Sequence, residues 1–465
     1  MIKQSISKTA TLAFSLLLFV SLLPVVSSAQ QSTTEQSQPP QSPSYTRPTV
    51  MTRPAPVNPA QPTAAPVTPD IAPPVYETRT QGVLVETIDG QKVMEQAADV
   101  TFNPASAVKL ATALNALHNF GPGHRFSTGV WTNGSLDPAT GTLTGDLIIS
   151  GRDPSLHYEH AIQIAHELNE MGIRTVTGDL IVAPRFTMNF DWSAQRSGDA
   201  FYDTLDSSRR PVAAVRAWNE ERAVFADYAA YPTVPSVAVM GAVYVNSVPE
   251  GARLLLDHRS SKLVDILKVL LCYSNNFMAE RIGDNLGGAI GVEQFVRQTL
   301  DLQPSEVKLA STSGLGVNRV TPRAMMKILR ALRDELAKNK LTFSDIMPVA
   351  GVDPGTLEKR YAATRGRGSV VAKTGTLIRT DGGASALVGQ MRAASGETLL
   401  FVIFNMRGNV TRFREAQDQI VAQIQNARGG PAPFSYRPLT LSMRLADTQL
   451  KASPAGKDEY EPGTN

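Results

Sequence analysis

A single cysteine, Cys272, stands in a chain of 465 residues, so no disulfide can form within the chain in any compartment, and stability has to come from a packed core. Its neighbours Leu271 and Tyr273 mark it as a packing residue. No cluster of Lys or Arg is present and no basic stripe runs between aromatic residues. The 45 Lys and Arg against 42 Asp and Glu leave a net charge of +3, which argues against a nucleic-acid surface. Charged residues are 19% and hydrophobic residues 42% of the chain, a balance that excludes global disorder and collagen-like structure. Metal patterns are also missing. His157, His160 and His166 have neither a His-Glu-x-x-His arrangement nor a third ligand, so they read as a solvent-facing helix and no metal is expected. The run Gly366 to Thr374 superficially resembles a phosphate-binding loop, but Ala372 occupies the place of a required glycine and no apolar strand precedes it. No cofactor is expected.

The one long apolar run lies near the start. Lys3 and Lys8 precede Leu12–Val26, which ends in Ser27-Ser28-Ala29, the charged, apolar, small-residue order of a secretory signal over residues 1–29. Cleavage is expected after Ala29, giving a product soluble in the periplasm or cell envelope, with membrane contact at most peripheral. Residues 30–75 form a spacer with 12 prolines between Pro39 and Pro74, expected to be extended and to supply no core. Residues 431–465 read as a polar tail. The stretch between is long enough for one large composite core or two ordinary domains.

Within that stretch, Gly82–Ile88, a turn at Asp89-Gly90 and Gln91–Met94 predict a hairpin. Asn103 is a suitable N-cap and Pro104 a suitable first residue for a helix reaching Leu117. Residues 126–258 switch to short strands and turns, and Thr144-Gly-Asp-Leu-Ile148 recurs as Thr177-Gly-Asp-Leu-Ile181. Two copies fall short of a solenoid and suggest related hairpins or βαβ-like pieces. Helical patterns resume over Val264–Leu271 and Met278–Leu286. The runs Val370–Ile378, Ala384–Arg392 and Thr398–Met406 suit an antiparallel meander, covered on one face by a helix from Arg412 to about Gln425. The fold class is α+β, with 76–125 and 259–430 forming one domain and 126–258 inserted as a β-rich subdomain. Trp131, Trp192 and Trp218 are expected to pack that inserted region.

Three strings carry the chemistry: Ser106-Ala-Val-Lys109, Ser274-Asn-Asn276 and Lys373-Thr-Gly375. Each alone is weak, and their value lies in order and local structure taken together. On a helix Ser106 and Lys109 share a face, and a serine hydroxyl becomes a nucleophile only beside a base. Lys109 can be that base if burial or a neighbouring cation lowers its pKa, and Lys373 is a candidate for the cation. Ser274 can pass a proton, and Asn276 can hold Lys109 or a substrate amide. Thr374, Gly375 and Thr376 can line an extended substrate, with the N–H groups of Ser106 and Thr376 as oxyanion donors.

These strings, together with Gly145–Pro154, Ser274–Glu280 and Ser313–Pro322, resemble the serine penicillin-recognising enzymes, and among them the D-alanyl-D-alanine carboxypeptidases and endopeptidases of the penicillin-binding protein 4 type, peptidase family S13. The similarity runs from about Phe102 to Asn405. It implies a penicillin-binding-protein/β-lactamase-like transpeptidase fold, an antiparallel sheet flanked by helices. It also implies hydrolysis of peptidoglycan peptides ending in D-Ala-D-Ala through an acyl-enzyme on Ser106, and acylation by β-lactam antibiotics. Oligomeric state is left open. The insertion is shorter than in the large members of that family, and Asn275 stands where Asp is also common.

Two rivals stay open at this point. A serine β-lactamase uses the same strings, although Glu167-Leu-Asn169 would put its deacylating base on Ala165 and precedes the second string, the reverse of the usual order. A non-catalytic wall-binding scaffold needs none of Ser106, Lys109, Ser274, Asn276 and Lys373.

Overall fold

The computed structural model describes residues 80–224 and 234–452, all within one compact unit, Pro74–Asn465. The expected signal segment, the whole of the proline-rich spacer and residues 76–79, 225–233 and 453–465 lie outside the described residues. The chain opens with the hairpin β1 (Gln81–Thr87) and β2 (Lys92–Gln96). A 3-10 turn (Ala105–Val108) then runs into α1 (Lys109–Phe120). Next come β3 (Ser127–Thr132), β4 (Ser135–Asp137), β5 (Thr142–Thr144), β6 (Leu147–Gly151), α2 (Tyr158–Glu170), β7 (Thr175–Val176) and β8 (Leu180–Val182). These are followed by α3 (Ala194–Leu205), α4 (Val212–Val224), β9 (Ala238–Val239), β10 (Val243–Val245) and β11 (Arg253–Arg259). The helices α5 (Leu263–Tyr273), α6 (Asn276–Asp284) and α7 (Gly288–Leu300) lead to β12 (Val307–Lys308), β13 (Arg319–Val320), α8 (Pro322–Lys338) and the one-turn α9 (Phe343–Ile346). The chain closes with β14 (Val370–Leu377), β15 (Ala384–Arg392), β16 (Thr398–Met406), α10 (Val410–Asn426), α11 (Leu441–Ala446) and β17 (Gln449–Ala452).

The central sheet has the order β14-β15-β16-β1-β2, antiparallel throughout. Both of its faces are covered, which is why β16 reads as a continuous apolar run rather than an alternating one. Leu400, Val402 and Phe404 meet the core that includes α1, α5 and α8. Leu399, Phe401 and Ile403 meet Val421 and Ile424 of α10 on the other side. α1 is buried on every face from Lys109 to Leu117. It is the central helix of its layer, and the alanines at 111, 113 and 116 let its neighbours pack close.

A second hydrophobic core, from Val130 to Leu256, lies beneath the sheet β10-β8-β6-β3-β11-β17. Here the repeated string has a structural meaning that two copies had hidden. Leu147, Ile148 and Ile149 pair in parallel with Leu180, Ile181 and Val182, and these pair in turn with Val243, Tyr244 and Val245. The repeats are therefore stacked rungs, and a third, degenerate rung follows at Met240-Gly-Ala-Val243. Each aspartate caps the rung above it. Asp146 Oδ1 accepts from Asp179 N at 2.8 Å and Asp179 Oδ1 from Ala242 N at 2.8 Å. Ala242 has no carboxylate to offer a fourth rung.

Three expectations need correction. Residues 431–452 are no simple polar tail: Leu441 and Leu445 are buried, β17 pairs with β11, and Arg444 bridges Asp265 of α5 at 2.6 Å. The average polarity of the segment concealed an i, i+4 apolar pair. His160 does not face solvent. It is fully buried, its Nδ1 accepting from His157 N at 3.0 Å and its Nε2 lying 3.1 Å from the Leu445 carbonyl. Trp218 packs against Ile162 and Ala214, but Trp192 is half-exposed and leaves the inserted region to pack on Phe277 of α6, ring centroids 4.8 Å apart.

The loop that leads into β14 is pinned to α5 by a buried ion pair. Lys268 Nζ uses its three protons on Asp353 Oδ2 (2.7 Å), Met347 O (2.7 Å) and Ser344 O (2.8 Å). Asp353 also accepts from Tyr436 and from Val349 N, each at 2.8 Å. Both charged side chains are fully buried, so removing one strands the other in a low-dielectric interior. Asp353→Ala is expected to lower unfolding stability by about 3–5 kcal/mol in urea denaturation, and a loss below about 1 kcal/mol would contradict this reading of the pair.

Candidate active site

The three strings come together where the 3-10 turn before α1, the α5–α6 junction and the edge strand β14 converge. Asn103 does not act as a simple helix cap. Its Oδ1 accepts from Ala105 N at 3.0 Å, but Ala105 is left-handed (φ 47°), so the chain kinks before Ser106 and enters a 3-10 turn instead of an α-helix. Ser106 is thereby left half-buried among fully buried neighbours. The loop is held from both sides. A Cβ on Gly314 would lie 2.0 Å from the Ala105 carbonyl oxygen, and one on Gly375 2.4 Å from that of Pro104; only glycine allows these approaches.

Lys109 is fully buried, and its Nζ has three neighbours: Ser313 O at 2.6 Å, Asn276 Oδ1 at 2.7 Å and Ser106 Oγ at 3.1 Å. Two of these are acceptors only. A neutral amine therefore places its two protons on Ser313 O and Asn276 Oδ1 and turns its lone pair toward the Ser106 hydroxyl, the orientation a general base requires. Burial holds the Lys109 pKa well below the usual lysine range, the Lys373 charge lowers it further, and Glu280 opposes both.

Ser274 ends α5 in the left-handed conformation (φ 56°), which separates it from both helices. Asn275 then caps α6, its Oδ1 accepting from Met278 N at 3.0 Å. Asp and Asn serve equally at such a cap, so the substitution at this position has a structural reason to be neutral. Lys373 Nζ lies 2.9 Å from Ser274 Oγ and 2.6 Å from the Thr374 carbonyl. Burial pushes the Lys373 pKa down to about 7. Thr374 and Gly375 follow on β14, and Thr376 Oγ1 accepts from Arg414 Nη2 at 2.9 Å.

Several supporting residues were not singled out from the sequence. Glu280 accepts from Ser313 N (3.0 Å) and Thr312 Oγ1 (2.7 Å), fixing the carbonyl that Lys109 uses. It lies four residues after Asn276 on α6, so helical spacing was the available signal. Asp381, in the β14–β15 turn, accepts from Asn103 Nδ2 at 2.7 Å and from both Nη atoms of Arg319 at 2.8 and 2.7 Å. That cluster ties the Ser106 loop to the far end of β14, and no local pattern announces it. Cys272 is fully buried and its thiol is pushed up to about 12 by burial, as a packing residue should be. Ala165 and Asn169, where a class A deacylation loop would fall, belong to the second core: Ala165 is fully buried and Asn169 Nδ2 donates to Ile173 O and Ser236 O.

If Lys109 is the base, it acts only when neutral, so acylation rises with pH through an apparent pKa well below that of a free lysine and belonging to the coupled pair. Removing the Lys373 charge raises the proton affinity of Lys109. Lys373→Ala should therefore move the midpoint of the pH–acylation profile upward. An unchanged midpoint would remove Lys373 from this role.

Comparison with known proteins follows the same lines. The model of the D-Ala-D-Ala carboxypeptidase 3 (S13) family matches residues 65–202 and 234–427. A D-alanyl-D-alanine carboxypeptidase of Actinomadura sp. (strain R39) is 28% identical over 484 residues, covering 82% of this chain and 84% of that protein. The D-alanyl-D-alanine carboxypeptidase DacB of Haemophilus influenzae is 25% identical, covering 72% and 87%. Among solved structures, the penicillin G-acylated predatory endopeptidase Bd3459 of Bdellovibrio bacteriovorus, in complex with its immunity protein, superposes with a TM-score of 0.67 at 21% identity, covering 81% of this chain and all of that one. Penicillin-binding protein 4 of H. influenzae gives 0.54 at 23% identity, covering 74% and 97%. The fold is thus that of the penicillin-recognising peptidases, and since the family model spans well over half of the sequence, the chain belongs to the D-Ala-D-Ala carboxypeptidase 3 (S13) family.

Proposed function

We propose that this protein is a serine D-alanyl-D-alanine carboxypeptidase that cleaves peptidoglycan stem peptides through an acyl-enzyme on Ser106, with D,D-endopeptidase action on crosslinked peptides as the same chemistry on a larger leaving group. The observation that carries the reading is the surroundings of Lys109 Nζ, whose two fixed acceptors leave its lone pair on Ser106 Oγ. Ser106 Oγ attacks the carbonyl of the penultimate D-Ala while Lys109 takes its proton, and the oxyanion is met by the N–H groups of Ser106 and Thr376. Ser274, hydrogen-bonded to Lys373, relays to the departing amine of the terminal D-Ala a proton equivalent to the one Lys109 took from Ser106, and the C–N bond breaks, leaving Ser274 as its hydroxyl and Lys109 neutral. Water then attacks the ester, the serine leaves as its hydroxyl, and the shortened peptide is released. A β-lactam enters by the same attack on its amide, but its amine stays tethered to the acyl group. The burial of Ala165 within the second core argues against a deacylating base at that place.

Residues 1–29 serve as a cleaved signal, and the enzyme works in the periplasm or cell envelope. Among the described residues no helix is long and apolar enough to cross a membrane. Residues 126–258 form an inserted subdomain, a reading supported by the separate hydrophobic core they contain.

Ser106→Ala should abolish the covalent adduct with a fluorescent penicillin and reduce turnover of a soluble D-Ala-D-Ala peptide by about 10⁶-fold. An adduct on the Ser106→Ala protein would refute the assignment. A wild-type protein that takes no label at all would favour the scaffold.

A further inference from the structure

The proton that leaves Ser106 turns Lys109 from an amine into an ammonium, and the burial that keeps the amine neutral also disfavours that product. A carboxylate close by would offset the penalty, and α6 brings one. Glu280 lies about one turn after Asn276 on that helix. Its Oε1 accepts from Ser313 N at 3.0 Å and its Oε2 from Thr312 Oγ1 at 2.7 Å. Ser313 stands between the two groups: its N–H faces Glu280, and its carbonyl oxygen lies 2.6 Å from Lys109 Nζ. The Thr312 carbonyl accepts from Thr112 Oγ1 of α1 at 2.7 Å, and a Cβ on Gly283 would lie 2.4 Å from Thr312 Oγ1. The carboxylate, the Thr312-Ser313 segment and the helix that carries Lys109 are thus packed as one unit.

A loop anchor needs an acceptor and not a charge. Yet Glu280 is half-buried and, among the described residues, has no Lys, Arg or His within ion-pair distance. The charged side chains on α6, on α7 beside it and on β14 are engaged elsewhere. Arg281 pairs with Asp284 at 3.2 Å, and Glu293 of α7 with Lys308 at 3.3 Å and Arg297 at 3.7 Å. Lys373 Nζ is held by Ser274 Oγ and the Thr374 carbonyl. Glu280 raises the proton affinity of Lys109 while Lys373 lowers it, so the amine lies between two opposing charges.

We propose that Glu280 is the counter-charge for the ammonium that forms on Lys109 during acylation, a positioning residue that acts across Ser313. This rests on the reading of Lys109 as the base. As Ser106 Oγ bonds to the substrate carbonyl carbon, its proton moves to Lys109 Nζ and the negative charge appears on the carbonyl oxygen. The new positive charge then feels a carboxylate already fixed in place, an interaction absent while the amine is neutral, so it is strongest in the transition state. Burial and Lys373 keep the amine unprotonated at rest, and Glu280 keeps it basic enough to take the proton.

The test is the rate of acylation by a fluorescent penicillin, followed against pH. Glu280→Gln keeps an acceptor for Ser313 N and removes the charge, so Lys109 binds its proton less tightly. The midpoint should fall by at least about half a pH unit, the opposite direction to Lys373→Ala. The rate at the high-pH plateau should drop about tenfold, because a weaker base takes the serine proton less readily. Glu280→Ser, which leaves room for water on both donors, should give the same shift and serves if the Gln variant does not fold. Glu280→Asp, which keeps the charge, should stay nearer the wild-type midpoint. Damage to the loop alone would lower the plateau without lowering the midpoint. An unchanged or raised midpoint in the uncharged variants therefore overturns the role of Glu280 and leaves the peptidase reading intact. A wild-type enzyme whose acylation shows no midpoint below the range of exposed lysines overturns the reading of Lys109 as the base, and this inference with it.

Discussion

The burial of one amine, Lys109 Nζ, is the constraint on which the rest of the site depends. An ammonium with no exposure loses most of its hydration, and here, among the described residues, it faces no carboxylate at hydrogen-bond distance, only a carbonyl, an amide oxygen and a hydroxyl. Such surroundings favour the neutral form. To build them the protein needs a helix buried on every side, a loop carbonyl fixed at Ser313 by Glu280, and an asparagine held at the start of α6. Each of these elements comes from a different part of the chain. What looks like an ordinary hydrophobic core is therefore also the medium that lowers the pKa of Lys109, as the proposed role of a base requires.

The second lysine solves a different problem by similar means. Lys373 sits on a strand rather than a helix and serves Ser274, which is held in a left-handed turn between two helices. The cluster of Asp381, Arg319 and Asn103 links the turn beyond that strand to the Ser106 loop. The two approaches made through Gly314 and Gly375 hold the loop against both neighbours. Rigid elements thus fix the relative positions of Ser106, Ser274 and β14, as a site working within fractions of an ångström requires.

Much of this was legible in the sequence because it is written locally. The three strings hold residues that the fold brings together, i and i+3 spacing puts Ser106 beside Lys109, and the strand pattern around Lys373 marks it as part of a β-run. The meander and its covering helix were read from runs of apolar residues that tertiary packing then used on both faces. What the sequence hid is non-local. The stacked rungs needed a third copy too degenerate to notice, His160 was buried by a carbonyl from Leu445, and the polar composition after residue 430 concealed Leu441 and Leu445. Arg414, which donates to Thr376, and Asp381, which accepts from Asn103, belong to no string at all. They reach β14 and the Ser106 loop through a helix and a turn brought there only in the folded chain.

The direct measure of the central claim is the protonation of Lys109 itself, followed by the ¹³Cε resonance of isotopically labelled lysines during a pH titration, with Lys109→Arg supplying the assignment. The account predicts that Lys109 titrates well below the usual lysine value of 10.5, while exposed lysines of the same protein do not. A Lys109 resonance that titrates together with the exposed lysines would show a charged amine beside Ser106 at neutral pH, and the serine would need another base.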